Sequence, residues 1–302
     1  MITHRRLYCF LGALLFSLTV DATAQDAGPP SSEPRTVKEY VELGLKQIDA
    51  GKHDSAIATL TEAIKVDPDH APAYLARAHC LLHLDQLERA LEDCNLAVKI
   101  SPRFAPAYLN RGNVYNALKQ KGKALADYTQ AILFDPNSEI AFHNRGNIFG
   151  DMGEYDQAVA DFGEAIRIDP RYALAYYNRG IVRYDQRQFE QAVVDYEKAL
   201  EYGLDSIDVH NAIAWARATC HKRSVRDGAK ALRHAKIACE KTEFKDAGIL
   251  DTLAAAYAEC GDFENAVLTM RKAIGLAPAH QHKSLRRCLE RYRSGLTYDA
   301  NP

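Results

Sequence analysis

A six-residue string returns along this chain at one fixed interval. Ala107-Tyr108-Leu109-Asn110-Arg111-Gly112 reappears as Ala141-Phe142-His143-Asn144-Arg145-Gly146, and again as Ala175-Tyr176-Tyr177-Asn178-Arg179-Gly180. A looser copy, Ala73-Tyr74-Leu75-Ala76-Arg77-Ala78, precedes them, and each copy starts 34 residues after the last. Ala90, Ala124, Ala158 and Ala192 keep the same step, as do Ala97, Ala131, Ala165 and Ala199, and then Pro102, Pro136 and Pro170. That interval is the period of stacked helix-turn-helix units. Each such unit is too small to bury its apolar side alone and covers it with its neighbours.

The aromatic four residues before the Gly, the paired alanines of the second helix and the closing Pro resemble the tetratricopeptide repeat family. The resemblance implies an all-α fold, a right-handed α-α superhelical solenoid of helix-turn-helix repeats. It also implies that first helices line a concave groove, where side chains choose an extended peptide or a partner helix. Repeats are expected at 37–70, 71–104, 105–138, 139–172 and 173–206. A divergent sixth repeat over 207–246 carries an inserted loop around 221–228, and a seventh spans 247–280. A capping helix is expected at 281–294 and a tail at 295–302. Gly51, Gly122 and Gly153 are expected to supply the left-handed residue that ends a helix.

The first residues read differently. His4, Arg5 and Arg6 are basic, residues 7–20 are apolar and uncharged, and Ala22-Thr23-Ala24 offers small residues for a signal peptidase. The apolar run is short for a membrane span. Residues 1–24 are thus expected to be a cleaved export signal, with an uncleaved anchor as the competing reading, and 25–36, rich in Pro, Ser and Gly, a flexible linker. Export sets an oxidising compartment, in which Cys80, Cys94, Cys220, Cys239, Cys260 and Cys288 fit either disulfides or buried small apolar packing. The net charge of -2 over 302 residues argues against a nucleic-acid partner.

Asn110, Asn144 and Asn178 recur once per repeat, with Asn113 and Asn147 one turn further on and His143 and Tyr177 beside them. A row of amides can donate to and accept from a peptide backbone whatever its side chains. It resembles the asparagine ladder of some repeat-containing transferases, although Asn is also common here in the family at large. Arg77, Arg111, Arg145 and Arg179 occur only where the second helix carries Asp93, Asp127, Asp161 and Asp195. The other three repeats have Leu43, Ile213 or Leu253 with Thr59, His234 or Thr269. This covariation fits four Arg–Asp pairs between packed helices; a row of arginines facing an acidic partner is the alternative. On the last helix Lys283, Arg286, Arg287, Arg291 and Arg293 fit the polar face of a cap or a basic patch for an anionic surface.

Nucleotide-loop, serine-hydrolase and zinc-protease motifs are absent. His79 and His83 share a helix face beside Cys80 but lack an evident third metal ligand, and His280 and His282 are a weaker pair. The expected function is an exported, non-catalytic scaffold that binds a protein or peptide, with no cofactor, no metal and no stable membrane insertion of the mature chain. The alternatives are a structural assembly factor of an envelope complex and, less favoured, a metal-binding protein or enzyme. N-terminal sequencing of the exported protein should begin at Gln25; a mature chain that retains residues 7–20 would exclude cleavage.

Overall fold

Alanine decides how closely these helices pack. The computed structural model describes residues 36–298, so the expected signal segment and nearly all of the linker lie outside the described residues. All regular structure among the described residues is helical. The described residues divide into two compact units, 36–148 and 149–298.

In the first unit α1 (Val37–Asp49) pairs with α2 (His53–Val66), α3 (Ala71–His83) with α4 (Leu87–Ile100), and α5 (Ala105–Ala117) with α6 (Lys121–Phe134). The unit ends within α7 (Glu139–Met152). In the second unit α8 (Tyr155–Ile168) packs on α9 (Ala173–Asp185), which pairs with α10 (Phe189–Glu201). The hairpins α11 (Ile207–Thr219) with α12 (Gly228–Lys241) and α13 (Ala247–Glu259) with α14 (Phe263–Leu276) follow. A 3-10 turn, Ala279–Gln281, leads into α15 (His282–Arg293), which packs on α14. The chain enters α1 through a reciprocal cap between Thr36 and Glu39.

The recurring alanines of the second helices, among them Ala56, Ala90, Ala124, Ala192 and Ala266, are wholly buried. A small side chain there lets two helix backbones approach, and the space left over is filled once per repeat by a bulky residue. Leu60, Tyr128, Tyr196 and Met270 take that role, each buried. For three of them the first helix makes room with glycine: a Cβ on Gly112 would lie 2.6 Å from the Tyr128 ring, on Gly180 2.6 Å from Tyr196, and on Gly44 2.8 Å from Leu60. Where the first helix carries Ala78 instead of Gly, the second carries the smaller Cys94, and both lie in one cluster. In that repeat the loss of glycine and the smaller partner offset each other, as close packing requires.

The turns correct one expectation. Gly51 and Gly153 adopt left-handed φ of 69° and 81°, but Gly122 lies inside α6. Lys119 is the left-handed residue of that repeat, at φ 61°, with Asp85 at 57° and Arg187 at 62° in theirs. The repeat register fixes the turn position, and packing of the two helices holds a residue there that lacks glycine's freedom.

Gly112→Ala should destabilise the protein by about 1–3 kcal/mol through overpacking against Tyr128. Gly163, inside α8, has nothing within 4 Å of where a Cβ would sit, so Gly163→Ala should instead stabilise by roughly 0.5–1 kcal/mol. Thermal unfolding of the two variants checks the contrast.

Candidate functional site

The first-helix amides divide into buried and accessible ones. Asn110 is 5% exposed, and its Nδ2 donates to the Pro106 carbonyl of its own helix at 2.9 Å. This bond to the preceding turn draws the side chain back onto α5. In the second unit Asn178 is buried as well, at 8% exposure, and is engaged in contacts. These two amides of the expected ladder therefore belong to helix packing. Asn113 is half-buried, and its Oδ1 accepts from the Tyr128 hydroxyl and from Asn144 Nδ2, both at 2.9 Å. Asn144 thereby links α7 to α5. Asn147, also half-buried, is itself engaged. His143 is buried with Nδ1 3.3 Å from Asn144 Oδ1, and burial pushes its pKa down to about 4, so the ring is neutral near pH 7. Tyr177 lies in the second unit, its ring 5.9 Å from that of Tyr196.

The arginines form the most regular feature. Arg77 donates from Nε and Nη2 to both carboxylate oxygens of Asp93, each at 2.8 Å. Arg111 holds Asp127 the same way at 2.8 Å, and Arg179 holds Asp195 at 3.0 and 2.8 Å. Arg145 lies in the first unit and Asp161 in the second, and both are engaged. The remaining Nη1 reaches backward, to a side chain of the preceding repeat: Arg77 to Thr61 at 3.0 Å, Arg111 to Asn95 at 3.1 Å and Arg145 to Thr129 at 3.3 Å. Each guanidinium also lies over the aromatic ring three residues earlier, at 5.7 Å from Tyr74, 5.4 Å from Tyr108, 5.6 Å from Phe142 and 5.4 Å from Tyr176. The corresponding backward position for Arg179 is Gly163, which has no side-chain acceptor; there Arg183 adds a second donor to Asp195 at 2.8 Å. With their fork nitrogens turned inward, Arg77, Arg111 and Arg179 are spent on the stack itself.

The sixth repeat, whose equivalent positions are Ile213 and His234, uses histidine. His210 Nδ1 lies 2.8 Å from His234 Nδ1, and His210 Nε2 lies 2.7 Å from Asp205 Oδ1, which Lys241 also holds at 2.9 Å. The His79–His83 pair gains a third ring, since His53 stacks on His83 at 4.9 Å with 7° between planes. Parallel rings set their nitrogens side by side and not toward one point. Among the described residues, no group of three His, Cys, Asp or Glu is placed to hold a metal ion. His282 sits with Nε2 2.9 Å from the Ala277 carbonyl. Cys80, Cys94, Cys220 and Cys239 are buried free thiols, Cys260 is exposed and Cys288 half-buried. Burial pushes Cys80 up to about 11 and Cys239 to about 12, well above the reactive range.

A double-mutant cycle on Arg111 and Asp127, read by unfolding, should show strong coupling, each single truncation costing about 3–5 kcal/mol by leaving one charge alone. Additive effects would mean that the fork contributes nothing as a pair. His143 has a folded pKa of about 4 against about 6.5 unfolded, so between those values the unfolded chain takes up a proton that the folded one refuses. Its contribution is therefore whole above pH 6.5 and declines as pH falls toward 4. Denaturant titrations at stepped pH should show His143→Gln flattening that decline.

Sequence profiles described as tetratricopeptide repeat match residues 41–106, 105–138, 173–202 and 247–280, and one described as TPR repeat matches 146–187. Stress-induced-phosphoprotein 1 of Caenorhabditis elegans is 36% identical over 62 residues, which are 20% of this chain and 19% of that protein. The chain thus spans about a fifth of that curated relative. Among solved structures, PilF of Pseudomonas aeruginosa superposes with a TM-score of 0.58 at 18% identity, over 83% of this chain and 96% of its own. PilW, described as a widely conserved type IV pilus biogenesis factor, gives 0.57 at 22% identity, over 69% and 91%. A thermophilic TPR protein of Thermus thermophilus gives 0.52 at 22% identity, over 60% and 98%. At such identities the likeness is one of fold. Profile matches over most of the repeats, and hairpins of the same architecture, place this chain in the tetratricopeptide repeat family.

Proposed function

We propose that the chain is an exported, non-catalytic interaction scaffold that takes an extended peptide or partner segment on the first-helix face of residues 36–148. Asn113 carries this reading. Its Oδ1 is committed to Tyr128 and Asn144, which orients the amide, while its Nδ2 has no partner among the described residues. An NH2 group held in this way can donate to a main-chain carbonyl of a bound segment whatever that segment's side chains. The near-zero net charge fits a protein partner better than a nucleic acid. Among the described residues no helix is long and apolar enough to cross a membrane. Export is supported by the basic start, the apolar run over 7–20 and the small residues Ala22 and Ala24.

Affinity capture from the exported fraction, with wild type and with an Asn113→Ala/Asn144→Ala double variant, tests the proposal. A partner held by wild type should bind the variant more weakly by about 0.5–1.5 kcal/mol, the worth of the hydrogen bond from the Asn113 amide, with the helical spectrum unchanged. Equal binding would sink the amide reading. Recovery of several subunits of one envelope complex would favour an assembly factor, and turnover lost on replacing a histidine would make the protein an enzyme.

A further inference from the structure

The chain folds back after its last helix. Gly295 turns it with φ 69°, and the Leu296 amide donates to the Arg291 carbonyl at 3.0 Å. Residues 296–298 then lie against the sixth repeat. The Tyr298 ring meets Trp215 edge-on at 5.1 Å with 69° between planes. Arg226, from the inserted loop, donates from Nη2 to the Tyr298 carbonyl at 3.1 Å and from Nη1 to the Thr297 hydroxyl at 3.5 Å. Arg291 Nε donates to the Thr297 carbonyl at 3.1 Å. Arg226 is itself held in place, with Nε on the Cys220 carbonyl at 2.8 Å and Nη1 3.1 Å from the Glu259 carboxylate.

These contacts are those by which a peptide is recognised. Two guanidinium groups bind consecutive main-chain carbonyls, one of them also takes a hydroxyl, and an indole takes an aromatic ring. None of them depends on the segment being joined to α15. Trp215 occupies in its repeat the position that Asn113 occupies in the third, and the inserted loop, which the other repeats lack, delivers Arg226.

We propose that Trp215, Arg226 and Arg291 form a second peptide site, specific for an extended segment with a hydroxyl residue followed by an aromatic one. Residues 296–298 are its resident occupant, and a partner segment of the same chemistry displaces them. The site does not rest on the amide reading. An occupant tethered through a short turn acts at millimolar effective concentration, so a competing segment binds the intact chain more weakly than a chain whose site is vacated.

Trp215 is the chain's single tryptophan, so its emission reports this site alone. The probe is a synthetic peptide of residues 294–302, added to the full chain, to a chain truncated after Ser294 and to full-length Tyr298→Ala. Truncation should shift the Trp215 emission, and the peptide should restore it saturably. The intact chain should bind the peptide at least about tenfold more weakly than the truncated one, Tyr298→Ala should bind it better than wild type, and a peptide with Ala in place of the tyrosine should not bind. A folded truncated chain that ignores the peptide, or equal binding by intact and vacated chains, would reduce the tail to a cap. Should truncation unfold the protein, failure of Tyr298→Ala to bind the peptide overturns the proposal equally. Asn113→Ala/Asn144→Ala leaves all these signals unmoved, so the two sites fail separately.

Discussion

A guanidinium fork that touches three helices sets how one repeat meets the next. Arg111 closes its own hairpin by holding both oxygens of Asp127 and uses its last nitrogen on Asn95 of the preceding repeat. Arg77 and Arg145 reach back in the same way to Thr61 and Thr129. Lysine could not replace these residues, because a point charge lacks the planar geometry that binds one carboxylate twice and still points a donor backward. The fork lies over an aromatic ring on one side, so its position follows from the same residue that recurs at the head of each repeat. Apolar packing supplies most of the stability of such a stack; the fork supplies register, by tying each hairpin to one partner at one height.

Repetition makes much of this legible in the sequence. Arg and Asp occur in the same four repeats and are both missing from the other three, a correlation within one chain that independent surface charges would not produce. The exchange of Gly112 and Tyr128 for Ala78 and Cys94 was equally open to reading, because both partners sit at fixed offsets. The backward acceptors Thr61, Asn95 and Thr129 also recur at the period, but their mixed identity hides them until the guanidinium geometry is known.

Other features had no signal of that kind. Lys119 takes a left-handed turn because the register demands it, although Gly122 nearby is the more obvious candidate. Asn110 and Asn178 share a position with Asn144, yet the first two are buried while Asn144 reaches Asn113; a one-turn difference in accessibility lies below what a periodic pattern resolves. The tail over 296–298 is short and unrepeated, so only its contacts with Trp215 and Arg226 reveal it. The sixth repeat departs twice, with the His210–His234 contact in the hairpin and a loop where others have a tight turn, and the second departure delivers Arg226 to residues 297–298.

Gly163 deprives Arg179 of the backward acceptor that Arg77, Arg111 and Arg145 each find in the preceding repeat. Stability in a stack of this kind is a sum of unit terms and nearest-neighbour terms, and its cooperative length is set by the weakest of the latter. Between α8 and α9 one such term is reduced, while Arg183 strengthens the hairpin on the far side by adding to Asp195. The α8–α9 seam therefore lacks the polar tie that Arg77 and Arg111 give to the seams before them. A stack with one seam loosened in this way is expected to open locally there more readily than at the tied seams, so amide protons on its two sides need not exchange together.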